Sequence, residues 1–77
     1  MKIYACLSGI WYCLNDDPKC VMGELRQSPD LWYEEGAPIS TTKTDNIKSY
    51  YELNYIYIHY KGIDYRINPI FIQIIKD

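Results

Sequence analysis

The sequence is short of most of what marks an enzyme. It has one histidine, His59. Its four glycines, Gly9, Gly23, Gly36 and Gly62, stand apart from one another, so neither a GxGxxG fingerprint nor a phosphate-binding P-loop can be placed on the chain. No apolar run approaches the roughly 20 residues that a membrane helix needs. Lys2 is followed by a short mixed segment instead of the long apolar block of a secretory signal. These absences set the expectation of a cytoplasmic protein with no membrane contact. Basic charge is in deficit too: 8 Lys and Arg against 10 Asp and Glu leave a net charge of −2 and a pI near 5.2. That excludes a protein held to nucleic acid by bulk charge, for which a domain pI above about 9 is the usual mark. It is also too mild for a polyanionic mimic of nucleic acid. Leucine and alanine, the usual helix material, are scarce, at five and two residues.

What is there in excess is β material. Nine tyrosines and twelve isoleucines favour pleated, half-buried surfaces, and 48% hydrophobic residues exclude intrinsic disorder. Seventy-seven residues make one domain, 1–77. The expected fold is all-β: a small, strongly bent antiparallel sheet or an SH3-like barrel of four to six short strands, with room for one helical turn.

Residues 50–68 give the clearest element. With Lys61-Gly62 as a two-residue turn, Tyr60 faces Ile63, Ile58 faces Tyr65 and Ile56 faces Ile67, all on one apolar face. The other face pairs His59 with Asp64, Tyr57 with Arg66 and Tyr55 with Asn68. Asn68-Pro69 breaks the ladder. A strand over 70–75 follows, with Ile70, Ile72 and Ile74 pointing one way and Phe71, Gln73 and Ile75 the other. Near the start, Ser8-Gly9 is either a tight turn between residues 2–7 and 10–14 or a bulge in one long strand. The turn would gather Ile3, Ala5, Leu7, Ile10, Tyr12 and Leu14 on one face. Residues 20–25 read as a third strand. Leu31, Trp32 and Tyr33, between two turn-forming stretches, read as a short strand or a helical turn. Residues 40–49 are polar and read as an exposed loop.

Cys6, Cys13 and Cys20 are spaced by seven, unlike the two-to-four spacing of metal knuckles, and an odd count fits reduced thiols packed as small apolar fillers. No metal or cofactor is expected. Asp16-Asp17 and Glu34-Glu35 read as solvated turn residues, since paired catalytic carboxylates need a deep cleft. His59 reads as the cross-strand partner of Asp64. No catalytic residue is expected, and the protein is not expected to be an enzyme.

The aromatic surplus is more informative. A core this small cannot hold two tryptophans, nine tyrosines, a phenylalanine and twelve isoleucines, so some must face outward. Tyr55, Tyr57, His59 and Arg66 share the polar face of the hairpin, and Trp11, Trp32 and Tyr33 are expected to extend that strip. Tyrosine, tryptophan and arginine are the residues enriched at binding hot spots. The expected function is a non-catalytic protein-binding module. Small size with isoleucine-, tyrosine-, lysine- and asparagine-rich usage suggests a phage or mobile-element accessory protein that binds and inhibits a host factor. Self-association through the same surface or through 70–75 is a variant. The alternative is a small β-barrel that stacks single-stranded nucleic acid on the same aromatics, which the charge balance disfavours.

Overall fold

A computed structural model describes residues 1–41 and 54–76. Within these residues seven strands, β1 (Lys2–Leu7), β2 (Ile10–Cys13), β3 (Val21–Met22), β4 (Ser40–Thr41), β5 (Asn54–Tyr60), β6 (Ile63–Ile67) and β7 (Ile72–Ile75), accompany one α-helix, α1 (Pro29–Glu34). They form two antiparallel sheets, in keeping with the all-β expectation. One sheet has the order β2-β1-β7. In the other, β5 is central: β6 pairs along one edge, while β4 and then β3 occupy successive stretches of the opposite edge. The strand count exceeds six because β3 and β4 are only two residues long.

Both hairpins close on two-residue turns. Ser8 and Gly9 have φ of 55° and 87°, and Lys61 and Gly62 have 49° and 81°. Positive φ at both central positions marks the type I′ turn, whose twist matches that of the flanking strands. Gly9 therefore lies in a turn, not a bulge. The β5–β6 register is the one read from alternation: Ile56 with Ile67, Tyr57 with Arg66, Ile58 with Tyr65, His59 with Asp64, and Tyr60 with Ile63.

The core lies between the two sheets. Ile3, Ala5 and Leu7 of β1 meet Ile56, Ile58 and Tyr60 of β5, with Leu14, Cys20, Met22 and Trp32 completing the cluster. Tyr12 packs on Tyr60 with ring centroids 5.5 Å apart. Parity alone does not bury a residue, however. Ile10 and Ile63 flank the two turns, at the hairpin tips, and are 57% and 55% exposed.

Four expectations need correction. The ladder ends at Ile67, so Tyr55 does not pair with Asn68. Asn68 turns inward instead: its Nδ2 donates to the Asn54 carbonyl and its Oδ1 accepts from the Ile70 amide. That cap starts a 3-10 turn over Pro69–Phe71, so β7 begins at Ile72 and Ile70 is exposed instead of alternating with Ile72 and Ile74. Strand β3 stops at Met22 because Gly23, at φ 79°, opens a turn that returns the chain to Gln27. Leu14 is buried as expected, but in a 3-10 turn over Leu14–Asp16 that follows β2.

Leu31, Trp32 and Tyr33 are helical. Ser28 caps α1, its Oγ accepting from the Leu31 amide, and Pro29 takes the first helical position, where its missing N–H costs nothing. Only numbers 40 and 41 of the polar 40–49 stretch are described. The rest of it, and residues 50–53 of the expected hairpin, lie outside the described residues. Among the described residues no helix is long and apolar enough to cross a membrane.

Two side chains tie distant segments together. Asn15 Oδ1 accepts from the Ile3 amide and its Nδ2 donates to Asp30 at the start of α1. Asp17 accepts from the Lys19 amide and, across 44 residues of sequence, from the Lys61 amide in the β5–β6 turn. The Lys61 amide first, then that of Lys19, holds the Asp17 carboxyl below its ordinary value. A depressed folded-state pKa adds stability above the unfolded-state value, and that stability is lost as pH falls through the folded-state value. Asp17→Ala is therefore expected to lower the urea midpoint near neutrality. The deficit should vanish in strong acid, where wild type has lost the same bonds. An equal deficit at both pH values would show that the carboxylate is not the clamp.

Candidate functional site

The outer face of β5 and β6 is built by alternation. Each buried residue of β5, Ile56, Ile58 and Tyr60, turns its neighbour outward, so Tyr55, Tyr57 and His59 line up on the opposite side. Asp64 and Arg66 join them from β6.

Arg66 is cross-strand from Tyr57, but its guanidinium reaches diagonally and lies over the Tyr55 ring, 3.9 Å from the centroid. Tyr55 and Tyr57 meet edge to face, with centroids 5.1 Å apart and an interplanar angle of 72°. The Tyr55 hydroxyl donates to Glu24 Oε1, which also accepts from Ser40 Oγ of β4. Burial first, then Tyr57 and Glu24, pushes the Tyr55 phenol above its ordinary pKa, so it stays neutral and a donor. His59 Nδ1 lies 2.7 Å from Asp64 Oδ1, the pairing expected from the register. Tyr57 is 43% exposed, and Arg66 is exposed. The result is a row of side chains, each in contact with a neighbour, on two paired strands.

The structure brings together four of the seven expected surface residues: Tyr55, Tyr57, His59 and Arg66. Trp11 is exposed at 49%, but on the outer face of the β2-β1-β7 sheet, opposite Cys6. Tyr33 is half-buried on α1, packs against the core and has Lys76 over its ring. Trp32 does not belong to any exposed strip. It is 2% exposed, and its Nε1 donates to the Pro38 carbonyl at 3.0 Å. The physical reason is helical geometry: one turn of α1 cannot present three successive residues outward, and the bulkiest turns in. Glu24, which the sequence did not single out, anchors one end of the row. Only its proximity in the fold reveals it.

A cleft of about 290 Å³ adjoins the row, lined by Val21, Gly23, Arg26, Tyr57, His59 and Asp64 among others. The cysteines lie elsewhere. All three are free. Cys6 faces Trp11 and Cys13 faces Tyr4 across the β1–β2 ladder, so these two thiols are not cross-strand partners. Burial, with Asp17 nearby, pushes the Cys20 thiol up to about 12, which keeps it protonated and unreactive. Among the described residues no group of three His, Cys, Asp or Glu side chains converges.

These features define a small all-β protein with a tyrosine–arginine row on one sheet. No family model, curated protein or solved structure matches the chain.

Proposed function

We propose that the protein is a non-catalytic protein-binding module whose contact surface is the outer face of β5 and β6, with Tyr55, Tyr57 and Arg66 at its centre and His59 at its edge. The observation that carries this reading is the stacked geometry of the row, with Arg66 on Tyr55 and Tyr55 against Tyr57. Side chains already in mutual contact lose less freedom on binding, which is how aromatic and arginine anchors give affinity. Small size and the isoleucine- and tyrosine-rich composition support the narrower reading of a cytoplasmic phage or mobile-element accessory protein that inhibits a host factor. Against single-stranded nucleic acid on the same aromatics stand Glu24 at the Tyr55 hydroxyl and Asp64 at His59, two carboxylates where phosphates would run.

The test is affinity capture from host lysate with wild type and with a Tyr57→Ala/Arg66→Ala double variant. Both residues are exposed, so the variant should fold. A captured protein should be retained by wild type and lost by the variant, a drop of about 2 kcal/mol or more, roughly thirty-fold in affinity. Equal capture by both discards the row as the contact surface. Capture of nucleic acid that falls steeply with added salt would replace this reading with the alternative.

A further inference from the structure

The cleft of about 290 Å³ beside the row opens where β3 gives out. Val21 stands opposite His59 on β5, and the strand ends one residue later. Gly23 follows, its amide donating to the Tyr57 carbonyl, so the position beside Tyr57 carries no side chain. Met22 and Gln27 exchange both backbone hydrogen bonds and close a loop whose last member is Arg26. The loop returns Arg26 to the cleft wall, where it joins His59 and Asp64 as the polar lining, while Val21, Tyr57 and Tyr65 supply apolar surface. These polar groups differ in what they already hold. Asp64 Oδ1 is engaged by His59 Nδ1 at 2.7 Å. Glu24, on the same loop, accepts from Ser40 and Tyr55. The Arg26 guanidinium has no hydrogen bond, ion pair or ring contact with any described residue. Arg26 also holds a φ of 50°, in the left-handed region that glycine adopts at less cost. The loop thus carries arginine where the backbone favours glycine, and its charge serves no contact within the described fold.

We propose that this cleft binds one carboxylate on a short apolar stem, with the Arg26 guanidinium taking the two oxygens and Val21, Tyr57 and Tyr65 flanking the stem. Three observations choose that ligand. The unmatched charge is a planar cation, whose geometry a carboxylate meets with two parallel hydrogen bonds. Two carboxylates already lie near, Asp64 on the lining and Glu24 on the loop, so a monoanion is repelled less than a phosphate dianion. The volume sits at the lower end of the range of ligand pockets, room for one side chain or one small acid and too little for a cofactor. The stem can belong to a glutamate of a protein partner or to a free organic acid, and the recognition chemistry is the same. The inference goes beyond the protein-binding reading and does not depend on it.

Backbone amide shifts of the full nitrogen-15-labelled chain, followed at constant ionic strength, provide the test. The probes are benzoate, benzamide, end-blocked glutamate, end-blocked glutamine and inorganic phosphate. At least one of the two carboxylates is expected to move the Gly23 and His59 amides saturably at millimolar concentration. Its amide counterpart should bind roughly tenfold more weakly or worse. Tighter binding of the glutamate assigns the stem to a partner's side chain, and tighter binding of benzoate assigns it to a free acid; either result supports the site. Arg26→Gly should weaken the carboxylate roughly tenfold or more without lowering the urea midpoint, because glycine relieves the left-handed φ. Arg26→Gln keeps the backbone cost, removes the charge, and should weaken binding as much. Equal binding of carboxylate and amide overturns the proposal, as does undiminished binding by both Arg26 variants. So does the lack of any saturable shift at tens of millimolar, or phosphate binding more tightly than either carboxylate. Neither a captured partner nor Arg66 enters this experiment, so the cleft can fail while the row stands, and the reverse.

Discussion

Ile58→Asp is expected to unfold the protein, while Tyr57→Asp, one position earlier on the same strand, is expected to leave it folded. Ile58 is 1% exposed, lies opposite Met22 on β3 and Tyr65 on β6, and belongs to the shared core. The cluster it shares is mainly aliphatic, with Ile3, Leu7, Leu14, Met22 and Ile56, and the Trp32 Nε1–H in it is already donated to the Pro38 carbonyl. Desolvating an unpaired carboxylate costs several kcal/mol even after relaxation. A chain of 77 residues has a total stability on the order of 4–12 kcal/mol, scaled by length. The loss is of the same size as the whole. Tyr57 points the other way, and replacing it removes an edge-to-face contact with Tyr55 and a cross-strand neighbour of Arg66, together worth about 1 kcal/mol. Backbone amide dispersion in a proton–nitrogen correlation spectrum reads both outcomes. A dispersed spectrum from Ile58→Asp with a collapsed one from Tyr57→Asp would mean the two faces are reversed.

That pair of neighbours also shows how far the chain is legible from its residues. Alternation about a two-residue turn is a local property, so the register from Ile56 to Ile67 and the outward row of Tyr55, Tyr57 and Arg66 could be read directly. Ser28-Pro29-Asp30 carried a helix-start signal as well, a capping serine before proline, strong enough to have decided between strand and helix for Leu31, Trp32 and Tyr33. Other features depend on partners remote in sequence. The Asp17 clamp on Lys61 spans 44 residues, and the placement of Glu24 at Tyr55 spans 31. No periodicity reports either. Asn68 illustrates a competition: its side chain could face Asn54 or continue the ladder opposite Tyr55, and the proline after it, which bends the chain into a 3-10 turn, settles the matter. Exposure of Ile10 and Ile63 comes from position at a hairpin tip, which parity cannot express.

Trp32→Ala is expected to cost about 3–5 kcal/mol, leaving the protein at or near its folding threshold if wild type lies in the lower part of the range above. Three contacts account for this. The indole is almost wholly buried in the common core. Its Nε1–H satisfies the Pro38 carbonyl, fixing the chain as it leaves α1 toward β4. Its ring edge lies where Gly23 has no side chain: a Cβ on Gly23 would sit 3.0 Å from Trp32 Cδ1. That makes Gly23→Ala an independent probe of the same packing. It adds both the strain of φ 79° and the crowding against the ring, and should destabilise by about 1 kcal/mol or more. Urea unfolding measures both losses, and fluorescence separates the two tryptophans. With Trp11→Phe the remaining emission, from Trp32, should be blue-shifted in the native state and move to the red on unfolding. The corresponding Trp32→Phe protein should emit as a solvent-exposed indole throughout, because Trp11 is 49% exposed. A Trp32→Ala midpoint equal to that of wild type would return Trp32 to the surface and restore it as a candidate contact residue.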